Sequence, residues 1–315
     1  MTEKTVSVFG GAHIDRRGRI SGDTAPGSSN PGRWFEEAGG GGFNAARNLA
    51  RLGLEVRMIA PRGGDAIGEM VAQAAEAAGV IDCPFTFLDR KTPSYTAILE
   101  NDGNLVIALA DMDLYKWFSP RRLQQRATRE IIAASDLILT DANLPEETLV
   151  ALAGRAQENG KPIAAIAISP AKVVRLRGCL GAMAYVFLNE AEARALTGEV
   201  AADMKDWPDL LRAVGLAGGV VTGGARPVIA FDRATACTVA PPRFDEIADV
   251  TGAGDALAAG FLAAYLDGGD LGACLRVGVA SASITVLSPF AVSEKMSRAM
   301  LEAAMRLVPP AEMLS

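Results

Sequence analysis

The sequence predicts an α/β fold organised on a mostly parallel sheet with helices on both faces, and three observations carry that expectation. From Pro120 onward short apolar runs alternate with helical stretches, the pattern of repeated strand–helix units. The chain opens on a β-rich run, residues 4–9, which meets Gly10-Gly11 as a buried strand meets a turn. Toward the other end, Gly252-Ala253-Gly254 leads into an apolar helix over 252–266. In such a sheet ligands gather at the carboxyl ends of the strands.

In chain order, the first turn is Gly11-Ala12-His13-Ile14-Asp15 rather than the G-x-G-x-x-G that lets a backbone approach a pyrophosphate, which counts against a nucleotide-binding oxidoreductase. Residues 16–38, rich in Gly, Pro and charge, read as short peripheral strands and turns. Four glycines at 39–42 precede Asn44, which begins a helix of small and apolar residues ending at Gly53. A strand over 55–60 and a helix over 65–78, closed by Gly79, come next. The runs 94–100 and 105–109 flank the turn Asn101-Asp102-Gly103-Asn104 and make a hairpin outside the central sheet. Then follow a helix 120–134, a strand 137–140, a helix 145–159 and strands 163–168 and 185–188. A strand ending in Thr222-Gly223-Gly224 and helices 252–266 and 271–287 complete the pattern, with Ser293 expected to cap the last helix.

Composition narrows the function. The net charge of −6 gives no footprint for a nucleic acid polymer, and Arg121, Arg122, Arg126 and Arg129, interrupted by Glu130, read as a solvated helix face. Four widely spaced cysteines form neither a C-x-x-C pair nor a disulfide framework, which suits a reducing compartment. A single histidine, His13, excludes a multi-histidine metal site and removes most triad chemistry. With no basic leader and no long uninterrupted apolar run, no membrane is implied and a soluble cytoplasmic protein is expected.

The densest chemistry lies at Asp249-Val250-Thr251-Gly252-Ala253-Gly254-Asp255. Unpaired N–H groups of Gly252, Ala253 and Gly254 at a helix N-terminus would make an anion site. Asp255 has two readings: a first-turn charge that stabilises its helix by roughly 0.3–1 kcal/mol, or a base beside the anion site.

The wider run from Asp249 to Phe261 resembles the C-terminal signature of the ribokinase-like (PfkB) carbohydrate and nucleoside kinases, and the run from Gly39 to Gly53 resembles that family's G-G-x-G-x-N-x-A segment. The resemblance covers essentially the whole chain. It implies one ribokinase-like domain over 1–315, with a small β-sheet lid from segments near 13–38 and 85–115. It further implies ATP-dependent phosphorylation of an alcohol. Gly252, Ala253 and Gly254 would receive the γ-phosphoryl, Asp255 would accept the acceptor's proton, and Asp15, Gly40 and Asn44 would hold the sugar. Asn143, past a strand end, could reach the acceptor, and Lys172 the ATP phosphates. Asn189 and Glu192 match an N-x-x-E motif that organises phosphates and Mg2+, mostly through water. Thr222 and Gly224 match the nucleotide-phosphate loop, and Asp249 and Thr251 match positions that bind potassium in some relatives.

Segments at 105–115, 141–144, 169–176 and 29–32 resemble those of pseudouridine kinases, which implies 5′-phosphorylation of a nucleoside, with a homodimer through the lid left open. A kinase of free sugars or other nucleosides (ribose, fructose or adenosine type) shares the same catalytic motifs, and a non-enzymatic ligand sensor would not need Asp255. The chain departs from the family pattern at His13, Phe43, Ala110, Val279 and Ala225-Arg226-Pro227.

Overall fold

The computed structural model describes residues 4–314. Apolar runs such as Ile163–Ile166 and Gly219–Thr222 belong where both faces are covered, and seven strands pair in parallel. In spatial order they are Gly219–Thr222, Tyr185–Asn189, Ile163–Ile166, Leu137–Asp141, Thr5–Phe9, Glu55–Ile59 and Ile81–Asp82. Val228–Phe231, Ala236–Val239 and Glu312–Leu314 extend the sheet antiparallel at one end, giving ten strands.

Neighbouring residues of one strand enter different cores. Leu137, Leu139, Phe187 and Val220 pack with the helices Gly41–Arg51, Ala253–Leu266 and Leu271–Val286. Ile138, Val186, Leu188 and Val221 pack on the other face with Glu146–Glu158, Glu190–Thr197 and Trp207–Ala213. The period of two thus sorts each buried strand between two helical layers.

A separate four-stranded sheet has the order Gly32–Gly39, His13–Ile20, Ser94–Leu99, Leu105–Asp111. The predicted hairpin is its second half. The lid segment near 85–115 is too broad: Phe85–Phe87 pairs instead with Pro61–Gly63 in a two-stranded sheet, and Asp113–Trp117 is a 3-10 turn.

Four local expectations need correction. The predicted helix 120–134 is broken at Gln125, whose ψ of 141° separates a 3-10 turn, Pro120–Gln124, from the helix Arg126–Ala134. The strand 163–168 stops at Ile166, because Ile168 takes a φ of 72°, a left-handed backbone that a β-branched residue rarely adopts. Asn44 does not begin its helix; it lies in the first turn and donates its N–H to Gly40 O at 2.7 Å. The last helix, Arg298–Met305, is capped by Ser297 rather than Ser293, whose hydroxyl accepts from the N–H of Lys295. The four cysteines are free, and no helix among the described residues is long and apolar enough to cross a membrane.

Candidate active site

The parallel strands bring their carboxyl ends to one cleft. Thr5–Phe9 runs into Gly10-Gly11, while Asp141, Asn189 and Thr222 are the last residues of their strands. The cavity there measures about 540 Å³, and Asp15, Gly40, Asn44, Asn143, Lys172, Asn189, Glu192, Thr222, Gly254 and Asp255 all line it. Gly252, Ala253, Gly224, Asp249 and Thr251 are not among its lining residues. A groove of about 410 Å³ between Leu271–Val286 and Arg298–Met305 is mostly apolar and gathers none of the expected residues.

Asp255 stands in the first turn of the helix Ala253–Leu266. Asn44 Nδ2 donates to its Oδ2 at 2.8 Å, and Arg47 donates to Asn44 Oδ1 at 2.7 Å. Because a guanidinium can only donate, this second bond fixes the amide with its NH2 toward Asp255. Burial pushes the Asp255 carboxyl up to about 7; the negative charges of Asp141 and Glu192 add to the rise, and the Asn44 bond opposes it. A carboxylate poised near neutrality is suited to taking a proton. Asn44, expected only as a sugar contact, therefore joins the glycine-rich segment to the candidate base.

Gly252 is confined to glycine on two grounds: its φ is 77°, and a Cβ there would lie 2.0 Å from Ala291 O. The expected set of free N–H groups differs at one atom. Ala253 N–H closes a turn on Val250 O at 3.2 Å, which leaves the N–H groups of Gly252 and Gly254 without a backbone acceptor at the helix N-terminus.

Asn189 and Glu192 form a reciprocal capping box, Asn189 Oδ1 accepting from Glu192 N at 2.9 Å and Glu192 Oε2 accepting from Asn189 N at 2.7 Å. The bland reading of this segment as a helix start is thus part of the truth, and Glu192 Oε1 remains for a ligand. Burial raises the Glu192 carboxyl, with the Asn189 N–H opposing. Among the described residues no three His, Cys, Asp or Glu side chains converge as a metal site. One carboxylate oxygen fits magnesium, which keeps several waters and takes further oxygens from phosphates.

Lys172 is the only Lys or Arg among the described lining residues, and its Nζ donates to Asn143 Oδ1 at 2.7 Å. Thr222 lines the cleft at a strand end, whereas Gly224 turns away in a loop where Arg226 bonds to Gly223 O and pairs with Glu190. Asp249 and Thr251 are engaged with each other: Asp249 Oδ1 accepts from Thr251 N and Oγ1, and Oδ2 accepts from Arg17 at 2.9 Å. These side chains do not fit a potassium site as they stand, because a guanidinium already holds the position beside the carboxylate.

One residue at the centre of the site carried no expected role. Asp141 is fully buried; its Oδ2 accepts from Gly11 N and Gly42 N, both at 2.8 Å, and its Oδ1 accepts from Asn143 N at 2.9 Å. It ties both glycine segments to a strand end. The hints in the sequence are a carboxylate closing the largely apolar run Leu137–Asp141 and its place at the head of the segment 141–144.

The model of the family described as pfkB family carbohydrate kinase matches residues 3–296. The structure is similar to that of a carbohydrate kinase from Agrobacterium tumefaciens, with 63% identity and a TM-score of 0.91 over 99% of this chain and 100% of that one. The sequence is 29% identical over 273 residues to the pseudouridine kinase of Escherichia coli (strain K12), covering 85% of this chain and 86% of that protein. An Arabidopsis thaliana ribokinase complexed with ribose and ATP shares the fold, with a TM-score of 0.87 over 97% of this chain and 99% of that one at 21% identity.

Proposed function

The chain belongs to the pfkB family of carbohydrate kinases and is an ATP-dependent phosphotransferase for a sugar or nucleoside; from that premise we propose that it phosphorylates the 5′-hydroxyl of a nucleoside, pseudouridine before others. The observation that carries the catalytic part is the 2.8 Å bond from Asn44 to Asp255, which sets the acceptor segment and the base at one point of the cleft.

Asp255 accepts the proton of the attacking primary alcohol, and the N–H groups of Gly252 and Gly254 stabilise charge on the transferring phosphoryl. Asp15 and Gly40 hold the sugar. Gly40, with a φ of 107° and no room for a Cβ, which would collide with Gly11 O, brings bare backbone to the acceptor side of the cleft. Lys172 and Thr222 face the phosphates of ATP. Asn189 and Glu192 would hold Mg2+, which would neutralise phosphate charge. Phosphoryl transfer asks little more of a protein than alignment and charge.

The small sheet acts as the lid, and its outer strand, Leu105–Asp111, is exposed along its whole length with Leu105, Ile107 and Leu109 uncovered, which suits pairing with a second copy.

The acceptor preference rests on the resemblance to the pseudouridine kinase. Pseudouridine carries a ring N–H that uridine lacks, and a buried acceptor left unpaired by uridine costs roughly 1–3 kcal/mol. Product formation from pseudouridine, uridine, adenosine and ribose at equal subsaturating concentrations tests it. Pseudouridine is expected to react fastest; faster turnover of ribose would move the assignment to a free-sugar kinase while leaving the transfer chemistry in place.

A further inference from the structure

We propose that Tyr115 and His13 form a hydrogen-bond relay that fixes the carboxylate of Asp15 and thereby makes the acceptor site selective for an intact vicinal diol. The proposal rests on the reading of Asp15 as the group that holds the sugar. His13 and Asp15 open the strand His13–Ile20 and both line the cleft; Tyr115 lies in the turn Asp113–Trp117 behind them. His13 Nδ1 is 2.7 Å from Tyr115 Oη, and His13 Nε2 is 3.2 Å from Asp15 Oδ1.

The direction of the relay follows from burial. Tyr115 is 3% exposed, and desolvation holds its hydroxyl well above the ordinary phenol range, so it keeps its proton. A buried O–H without an acceptor costs about 1–3 kcal/mol, and the acceptor beside it is His13 Nδ1. If Nδ1 accepts, the neutral ring carries its proton on Nε2, facing Asp15. The chain of donors therefore runs from Tyr115 to His13 to Asp15, with no charge needed on the ring.

One further contact steadies Asp15, and the ring that faces it is itself held in place. A Cβ on Gly39 would lie 2.0 Å from Asp15 Oδ2, so that oxygen rests on bare backbone. The ring of His13 is itself 7% exposed and held edge-on to Tyr115. Asp15 is thus seated by an N–H on one side and by a glycine beneath. A carboxylate steadied in this way meets a diol with its lone pairs already aimed, and meets a deoxy sugar with one of them unpaired.

The test compares kcat/KM for pseudouridine and 2′-deoxypseudouridine, and in parallel for ribose and 2-deoxyribose so that the readout survives a wrong acceptor class. Tyr115→Phe is expected to reduce the diol preference about three- to tenfold, through a raised KM for the diol substrate more than through kcat, since a relaxed carboxylate loses pre-organisation. His13→Gln, which keeps an N–H for Asp15, is expected to retain more of the preference than His13→Ala. Thermal unfolding of each variant separates loss of fold from loss of selectivity. If Asp15→Asn abolishes the preference while Tyr115→Phe leaves it intact, or if Tyr115→Phe weakens both substrates equally, the relay is overturned. If Asp15→Asn itself leaves the preference unchanged, the reading of Asp15 fails instead.

Discussion

The floor of the cleft and the small sheet over it are held by different means. On the floor, three side chains are seated by backbone, Asp141 by three N–H groups and Asn189 and Glu192 by each other's amides, while Asp255 and Lys172 are held by the side chains of Asn44 and Asn143. The small sheet meets the floor through side chains. Arg17 bridges Asp249 and Glu37, Glu37 accepts from Ala291 N–H at 3.4 Å, and Phe35 stacks on Phe290 at 5.9 Å. Backbone bonds belong to the fold and tolerate little change, whereas side-chain latches can be altered singly. On the proposed function, the transfer chemistry sits at strand ends and one helix N-terminus, the acceptor side is open to variation, and the chain's departures at His13 and Ala110 fall in the small sheet.

The comparison breaks most sharply at Asp255. Asp255→Asn is expected to lower kcat by about 10²–10⁴-fold while ATP and acceptor binding by calorimetry stay close to wild type; an unchanged kcat would reduce Asp255 to a helix-end charge. The pH dependence follows the same group. Its folded pKa, about 7, lies above the ordinary aspartate value of 3.8, so if Asp255 is the base, kcat/KM is expected to fall as pH drops through about 7. For stability the sign is opposite: burial of the charged form costs nothing below pH 3.8 and weighs fully above about 7. Asp255→Asn is therefore expected to stabilise the fold at pH 8 by ~1–2 kcal/mol in urea unfolding, less than the full shift implies because the carboxylate opens on solvent.

Asp141→Ala is expected to cost on the order of 2–4 kcal/mol in urea unfolding, because it leaves three N–H groups without their acceptor. Activity should fall with it for every acceptor alike, since both glycine segments lose their tie. A loss confined to one acceptor would mean that Asp141 belongs to recognition instead. Glu192→Gln is expected to raise the magnesium needed for half-maximal rate several-fold at fixed ATP, as a site with few protein ligands loses its carboxylate. An identical magnesium curve would return Asn189 and Glu192 to helix capping alone. The smallest effect is expected above the cleft: Arg17→Ala should shift unfolding by under about 1 kcal/mol, as partly exposed ion pairs do, and raise the acceptor KM more than the ATP KM. Equal changes in both would show that the latch serves the floor as much as the sheet.

What the sequence reveals divides along the same line. The helix Ala253–Leu266 and the segment at 39–44 are legible because a glycine turn and the helix it opens lie within a few residues. Asp141 is not legible, because its partners are 130 and 99 residues away and are backbone atoms without a signature of their own. Ala253 misleads because a turn bond to Val250 engages an N–H that any helix N-terminus would seem to offer. Ser293 and Ser297 are equally good caps on paper, and only the path of the chain selects Ser297. The split at Gln125 has no Gly or Pro at the break to announce it.

The tie at Asp141 also bears on how the cleft comes into being. Its bonds to Gly11 and Gly42 span 130 and 99 residues, so the acceptor floor cannot form locally and must wait until the strands Thr5–Phe9 and Leu137–Asp141 lie side by side. Contacts of such long range close late, because loop entropy is lost before they give anything in return. During refolding, helical signal should recover before catalytic competence, and a chain still emerging during synthesis is expected to complete this cleft floor only after residue 141 has joined the sheet.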